Sequence, residues 1–123
     1  MNSPDSRANV LTAAFLTLWG PHHILSNVAT VVEGDFEWDA AKAAENLDKH
    51  GVSFAEAATV FADPLAVYLD DGSGTERMVI IGTSLRERIL YVVHVLRGDR
   101  DRIISARRAT AAERDVYATG GRA

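Results

Sequence analysis

Hydrophobic and polar positions along the chain fall into two alternating patterns, and the pattern changes mark the elements. Residues 76–83 (ERMVIIGT) and 89–96 (ILYVVHVL) are rich in β-branched side chains and flank a charged turn containing Arg86-Glu87-Arg88, which predicts two paired strands. Arg97-Gly98-Asp99-Arg100 makes the next turn, and residues 102–107 (RIISAR) form a last strand. The apolar run Leu65–Leu69, closed by the turn-rich Asp70-Asp71-Gly72-Ser73-Gly74, predicts a short strand before them. Upstream the spacing is helical. Asp39 is a good N-cap for the Ala-rich stretch 40–50, and Gly51 supplies a left-handed stop. Ser53-Phe54-Ala55-Glu56 reads as a capping box whose helix carries Phe54, Ala57, Ala58 and Phe61 on one stripe until Asp63-Pro64 ends it. Thr110-Ala111-Ala112-Glu113 is a second box, opening a helix that Gly120-Gly121 closes. With residues 35–38 as a strand, the order is β-α-α-β-β-β-β-α. That describes an α+β domain, with a small antiparallel sheet, two N-terminal helices and a C-terminal helix.

The first third has a different character. Residues 10–19 (VLTAAFLTLW) form an apolar run too short to span a bilayer, which needs roughly 20 residues. Residues 1–32 are expected to be an N-terminal extension and residues 33–120 the functional domain. The extension reads as the product of a start site upstream of one at Val31 or Val32, as an extra helix, or as an export signal; Asp5 and the lack of a small-residue cleavage site speak against export.

Charge divides the chain more sharply than its net −4 suggests. Residues 33–72 hold ten acids against two lysines, whereas residues 73–123 hold ten arginines against six acids. A uniformly basic nucleic-acid binder is excluded, but a basic face in the C-terminal half is not. With no cysteine, and four histidines (His22, His23, His50, His94) in no ligand spacing, no metal or other cofactor is expected. The absence of cysteine and of a credible export signal makes the cytoplasm the expected compartment, with no membrane partner.

Strand alternation suggests where the chemistry lies. If the turn at 97–100 has an even loop, Leu96 faces Asp101, His94 faces Ile103, Val92 faces Ser105 and Leu90 faces Arg107. His94, Ser105 and Arg107 then project to one side of the sheet. An even loop at 84–88 adds Arg77 to that side; an odd one sends it to the other. An imidazole with arginines suits metal-free cleavage of RNA, whose 2′-hydroxyl is its own nucleophile. A base takes that proton, an acid protonates the leaving 5′-oxygen, and guanidinium groups hold the charged phosphorane. Each residue also has a structural reading: His94 as packing, Arg97, Arg100 and Arg102 as solvated turn residues, and Lys49-His50 as cations at a helix C-terminus.

The order and spacing of several blocks resemble the BrnT toxin family. These are Phe36-Glu37-Trp38-Asp39, Lys49-His50-Gly51-Val52-Ser53-Phe54, Ala57 to Pro64, Glu76-Arg77, Ile81-Gly82, and Arg102 to Thr110 with Glu113-Arg114 and Tyr117, together spanning roughly residues 35–118. The resemblance implies a RelE-like fold and a metal-independent endoribonuclease toxin of a type II toxin–antitoxin system. It also implies a BrnA antitoxin of ribbon-helix-helix type, with DNA contacted only through the toxin–antitoxin complex. Lys49, His50, Arg77 and Arg107 match family positions and, with His94, are the candidate catalytic residues. Trp38, Arg86, Arg88, Arg102 and Arg108 are the candidate RNA contacts, although Trp38 also reads as an anchor for the first helix. A catalytically inactive antitoxin-binding module and a plain RNA-binding module are the competing readings.

Overall fold

The computed structural model describes residues 29–122. Val31–Ala123 forms one compact unit; the apolar run at 10–19 lies outside the described residues. β1 (Thr30–Glu33), which begins one residue before that unit, and β2 (Phe36–Asp39) precede helices α1 (Ala40–His50) and α2 (Phe54–Thr59), and a 3₁₀ turn covers Val60–Ala62. Strands β3 (Val67–Asp70), β4 (Met78–Thr83), β5 (Ile89–Arg97) and β6 (Arg100–Arg108) follow, then helix α3 (Ala111–Ala118). The fold is mixed α+β, with β1 straddling the boundary expected at residue 32.

The six strands lie in the order β1-β2-β6-β5-β4-β3. The sheet is mixed rather than antiparallel, because β2 runs parallel to β6, pairing Phe36 with Asp101 and Glu37 with Arg102. No hairpin joins these two strands, so nothing local dictates their relative direction.

Capping explains the helix boundaries. The Asp39 carboxylate accepts from the Lys42 N–H at 3.2 Å, and Gly51 adopts φ 69° while its N–H donates to the Leu47 carbonyl. At α3 the box is reciprocal: Thr110 Oγ1 accepts from the Glu113 N–H, and Glu113 Oε1 from the Thr110 N–H. At α2 only half of the expected box forms. Ser53 Oγ accepts from the Glu56 N–H, but the Glu56 carboxylate turns away to Arg88 and Ser84.

One face of the sheet packs on α1 and α2. Its core is Trp38, Val52, Phe54, Ile80, Leu90 and Val92, with Ile103 and Ala106 from β6. Burying each large apolar side chain contributes roughly 1.5–3 kcal/mol, so this layer dominates stability. Gly82 belongs to the same packing, since a Cβ there would lie 2.9 Å from Val60 Cγ1 and 3.1 Å from Ala66 Cβ. On the second face α3 lies against β4, and Val67, Val79 and Ile81 are buried. Tyr117 anchors α3 by donating to Asp63 at 2.7 Å and accepting from Thr83 at 3.0 Å.

Register sets which side chains share a face, and here it decides the open parity of one loop and overturns one expected convergence. The 84–88 loop is odd, with Thr83 opposite Ile89 and Met78 opposite His94. Between β5 and β6 the expected register holds from Leu96–Asp101 to His94–Ile103. A bulge then shifts it by one, giving Val93–Ser105, Val92–Ala106, Tyr91–Arg107 and Leu90–Arg108. Ile104 is the extra residue. His94 therefore faces the helices, whereas Ser105 and Arg107 face away, and the expected convergence of His94 with Arg107 does not occur. The odd loop puts Ile81 opposite Tyr91, and so on the Arg107 side.

Candidate active site on the open sheet face

Beyond the cover of α3, β5 and β6 leave a half-exposed strip on the second face: Tyr91, Val93, Val95, Ser105 and Arg107. Two grooves border this strip and share Ile104 in their linings. One, of about 360 Å³, is lined by Lys49 and His50 from the last turn of α1 together with Lys42, Ile104 and Ser105. The other, of about 380 Å³, is lined by Arg77, Arg97, Val95 and again Ile104. The bulge residue is thus the ridge between them. Lys49 and His50 approach it from one side, Arg77 and Arg97 from the other. Glu45 and Glu76 are the carboxylates on the two rims.

Lys49 and His50 reach this position because α1 is fastened to the sheet by one amide. β2 stops pairing after Glu37, which leaves the distal part of β6 without a neighbouring strand. Asn46 takes that strand's place. Its Nδ2 donates to the carbonyls of Ala106 (2.8 Å) and Val52 (2.9 Å), and its Oδ1 accepts from the Ala106 N–H (3.1 Å). A buried peptide edge is thereby satisfied.

Arg107 lies on the same face, its guanidinium 4.1 Å above the Tyr91 ring. Its two terminal nitrogens form a bidentate pair with Glu113, each bond 2.8 Å long. Arg107 holds the Glu113 carboxyl below the usual carboxylate range, and Glu113 pushes the guanidinium further up. Arg107 meets a phosphate in this fork only by exchanging partners. Glu113 keeps a second donor, the Thr110 N–H, when it does so.

The remaining candidates sit elsewhere. His94 is 5% exposed, with Nδ1 3.0 Å from Asp101 Oδ1 and the ring edge-on to Phe61 at 4.8 Å. Its Nε2 has no hydrogen-bond partner among the described residues. Trp38, also 5% exposed, packs edge-on against Phe54 within the helix-packed core. Arg88 is consumed by Glu56 and the Gly51 carbonyl, which ties the β4–β5 loop to α2. The Arg88 hydrogen bond, against the opposing effect of burial, holds the Glu56 carboxyl low. Arg102 pairs with Glu37 at 2.7 Å, and so is not the solvated turn residue expected. Arg86 and Arg108 are exposed, Arg86 at 4.0 Å from Glu56.

Residues 38–113 match the family model described as the ribonuclease toxin BrnT of type II toxin–antitoxin systems. The chain belongs to the BrnT family. Its members are ribonuclease toxins, which implies an RNA target and an antitoxin partner. The crystal structure of the Brucella abortus ribonuclease toxin BrnT is 26% identical, with a TM-score of 0.49, covering 59% of this chain and 92% of that one. A comparison with curated proteins finds no match. Among the described residues, no helix is long and apolar enough to cross a membrane.

Three residues around this face were not among the candidates read from the sequence: Arg97, Ile104 and Glu113 as a partner of Arg107. Arg97 carries no signal beyond lying two strand positions from Val95. Glu113 has a sufficient local explanation as a capping residue, and its second bond depends on how α3 folds back.

Proposed function

We propose that this BrnT-family chain is a metal-independent endoribonuclease that cleaves RNA through the 2′-hydroxyl, in the cytoplasm. A BrnA-type ribbon-helix-helix antitoxin neutralises it, and the pair contacts DNA only through that antitoxin. The observation that supports this reading is the sharing of Ile104 by two cationic grooves, with Lys49 and His50 on one side and Arg77 and Arg97 on the other. A phosphodiester laid across the ridge meets guanidinium groups suited to its equatorial oxygens. His50 lies within the same groove as Lys49 and supplies an imidazole for proton transfer. Arg107 joins once Glu113 yields its fork. His94, buried on the other face, takes no part.

Purified full-length protein incubated with RNA in EDTA should yield fragments ending in 2′,3′-cyclic phosphate. Loss of cleavage on chelation would defeat the metal-free mechanism.

The closed Arg107–Glu113 pair favours a second reading, a catalytically inactive antitoxin-binding module. Glu113→Gln separates the two, because glutamine keeps the capping box while releasing the charge on Arg107. In a working nuclease this variant should bind RNA about two- to tenfold more tightly, the scale of one ordinary net hydrogen bond. In an inactive module, RNA binding should not change.

A further inference from the structure

The ten arginines after residue 73 are not equivalent. Arg86, Arg88, Arg102 and Arg107 each lie within 4.0 Å of a carboxylate. The other six have no such partner among the described residues: Arg100 donates to the Gly34 carbonyl and Arg122 lies near the C-terminus, while Arg77, Arg97, Arg108 and Arg114 fall two and two into concave places. Arg77 and Arg97 share the groove described above. Arg108 and Arg114 share a separate groove of about 390 Å³, between the start of β5, the end of β6 and the first turn of α3.

We propose that this groove is a second phosphate subsite, holding a backbone phosphate of single-stranded RNA away from the bond being cut; the proposal rests on the ribonuclease reading above. Arg114 Nη1 donates to the Ala109 carbonyl at 3.0 Å, which fixes the guanidinium plane and leaves its other N–H groups for a ligand. Arg88 lines the wall but is neutralised by Glu56, so Arg108 and Arg114 carry the positive charge. Glu87, at the turn with φ 63°, is the one carboxylate on the lining and offsets part of it. Position favours a polynucleotide over an acidic peptide. Arg107 Nη1 donates to the Arg108 carbonyl, so the groove begins one residue beyond the open face. Arg107 and Arg108 alternate across β6, so the groove lies round the end of the sheet from the open face, and a flexible polyanion leaving Arg107 turns that end to reach Arg108 and Arg114.

The test uses the full chain and a labelled, uncleavable 2′-O-methyl 12-mer, with binding followed by fluorescence anisotropy across a salt series. The double variant R108A/R114A should bind about tenfold more weakly and lower the salt slope, by about 0.7 for each phosphate it no longer neutralises. E87Q should bind more tightly. With cleavable substrates, the double variant should raise KM for a 12-mer but leave a dinucleoside monophosphate, too short to reach the groove, unchanged. Unaltered 12-mer affinity in a variant that melts like the wild type overturns the proposal. So does an equal loss on the dinucleoside monophosphate, or weakened antitoxin binding with RNA binding intact. Should the wild type cut no RNA, the ribonuclease reading fails while the anisotropy series still decides this one.

Discussion

The two faces of the sheet use the same strands for opposite purposes. On the helix-packed face, Ile80, Leu90, Val92 and Ile103 bury aliphatic surface, and the imidazole of His94 is enclosed by Phe61 and Asp101. On the other face, β5 and β6 present Tyr91, Val93, Ser105 and Arg107 half-exposed, and the basic side chains gather around Ile104. The chemistry proposed for this chain lies where packing is incomplete. An imidazole in the core is an expensive polar group, whereas a guanidinium at a groove rim stays hydrated until a phosphate arrives.

Substitutions at these positions should keep the two faces apart in their effects. Arg77→Ala and Arg107→Ala should each lower RNA cleavage 10- to 1,000-fold, roughly 1.4–4 kcal/mol at the transition state, with little change in melting temperature. Wild-type rates in both would take these residues out of the site. Arg88→Ala should do the reverse, destabilising by about 3 kcal/mol because it leaves the buried Glu56 carboxylate with one hydrogen bond, from Ser84, and only the exposed Arg86 at 4.0 Å as a cation. Its pH dependence follows from the depressed Glu56 pKa. In the wild type this group's contribution is complete above the unfolded carboxyl range of about 4–5 and is lost as pH falls toward the folded value. Urea titrations should therefore show a shallower acid decline in the variant. Asn46→Asp keeps the acceptor for Ala106 but loses both donated bonds, and should cost about 2 kcal/mol by the same titration. The smallest expected effect is His94→Phe, which should leave cleavage within about twofold of wild type, since the side chain is remote from the open face. A larger drop would bring the buried imidazole back into the mechanism.

Much of this division is legible in the chain itself, and the failures have identifiable causes. Helix boundaries at Asp39, Gly51, Thr110 and Gly120 follow from capping chemistry that operates within a few residues. Strands β4 to β6 follow from β-branched runs. What cannot be read is anything a single inserted residue controls. The bulge at Ile104 has no compositional mark, yet it reverses Ser105 and Arg107 relative to His94. The odd loop at 84–88 independently turns Arg77 the same way. Those two departures cancel for Arg77 and Arg107, so even-loop alternation groups the two arginines correctly for the wrong geometric reason. The parallel β2–β6 pair is hidden because its members lie some sixty residues apart in the chain.

The Asn46 amide also closes a sheet edge that another copy of the chain could otherwise pair with. An unpaired stretch of β6 would be a template onto which a foreign strand could zip, the usual route to insoluble assemblies. With carboxamide oxygen and nitrogen already seated on Ala106, the sheet's outer borders are the four-residue β1 and β3, too brief to recruit much. A toxin accumulating faster than its antitoxin would stay dispersed for that reason, and the Asn46→Asp protein should precipitate on concentration well before it unfolds.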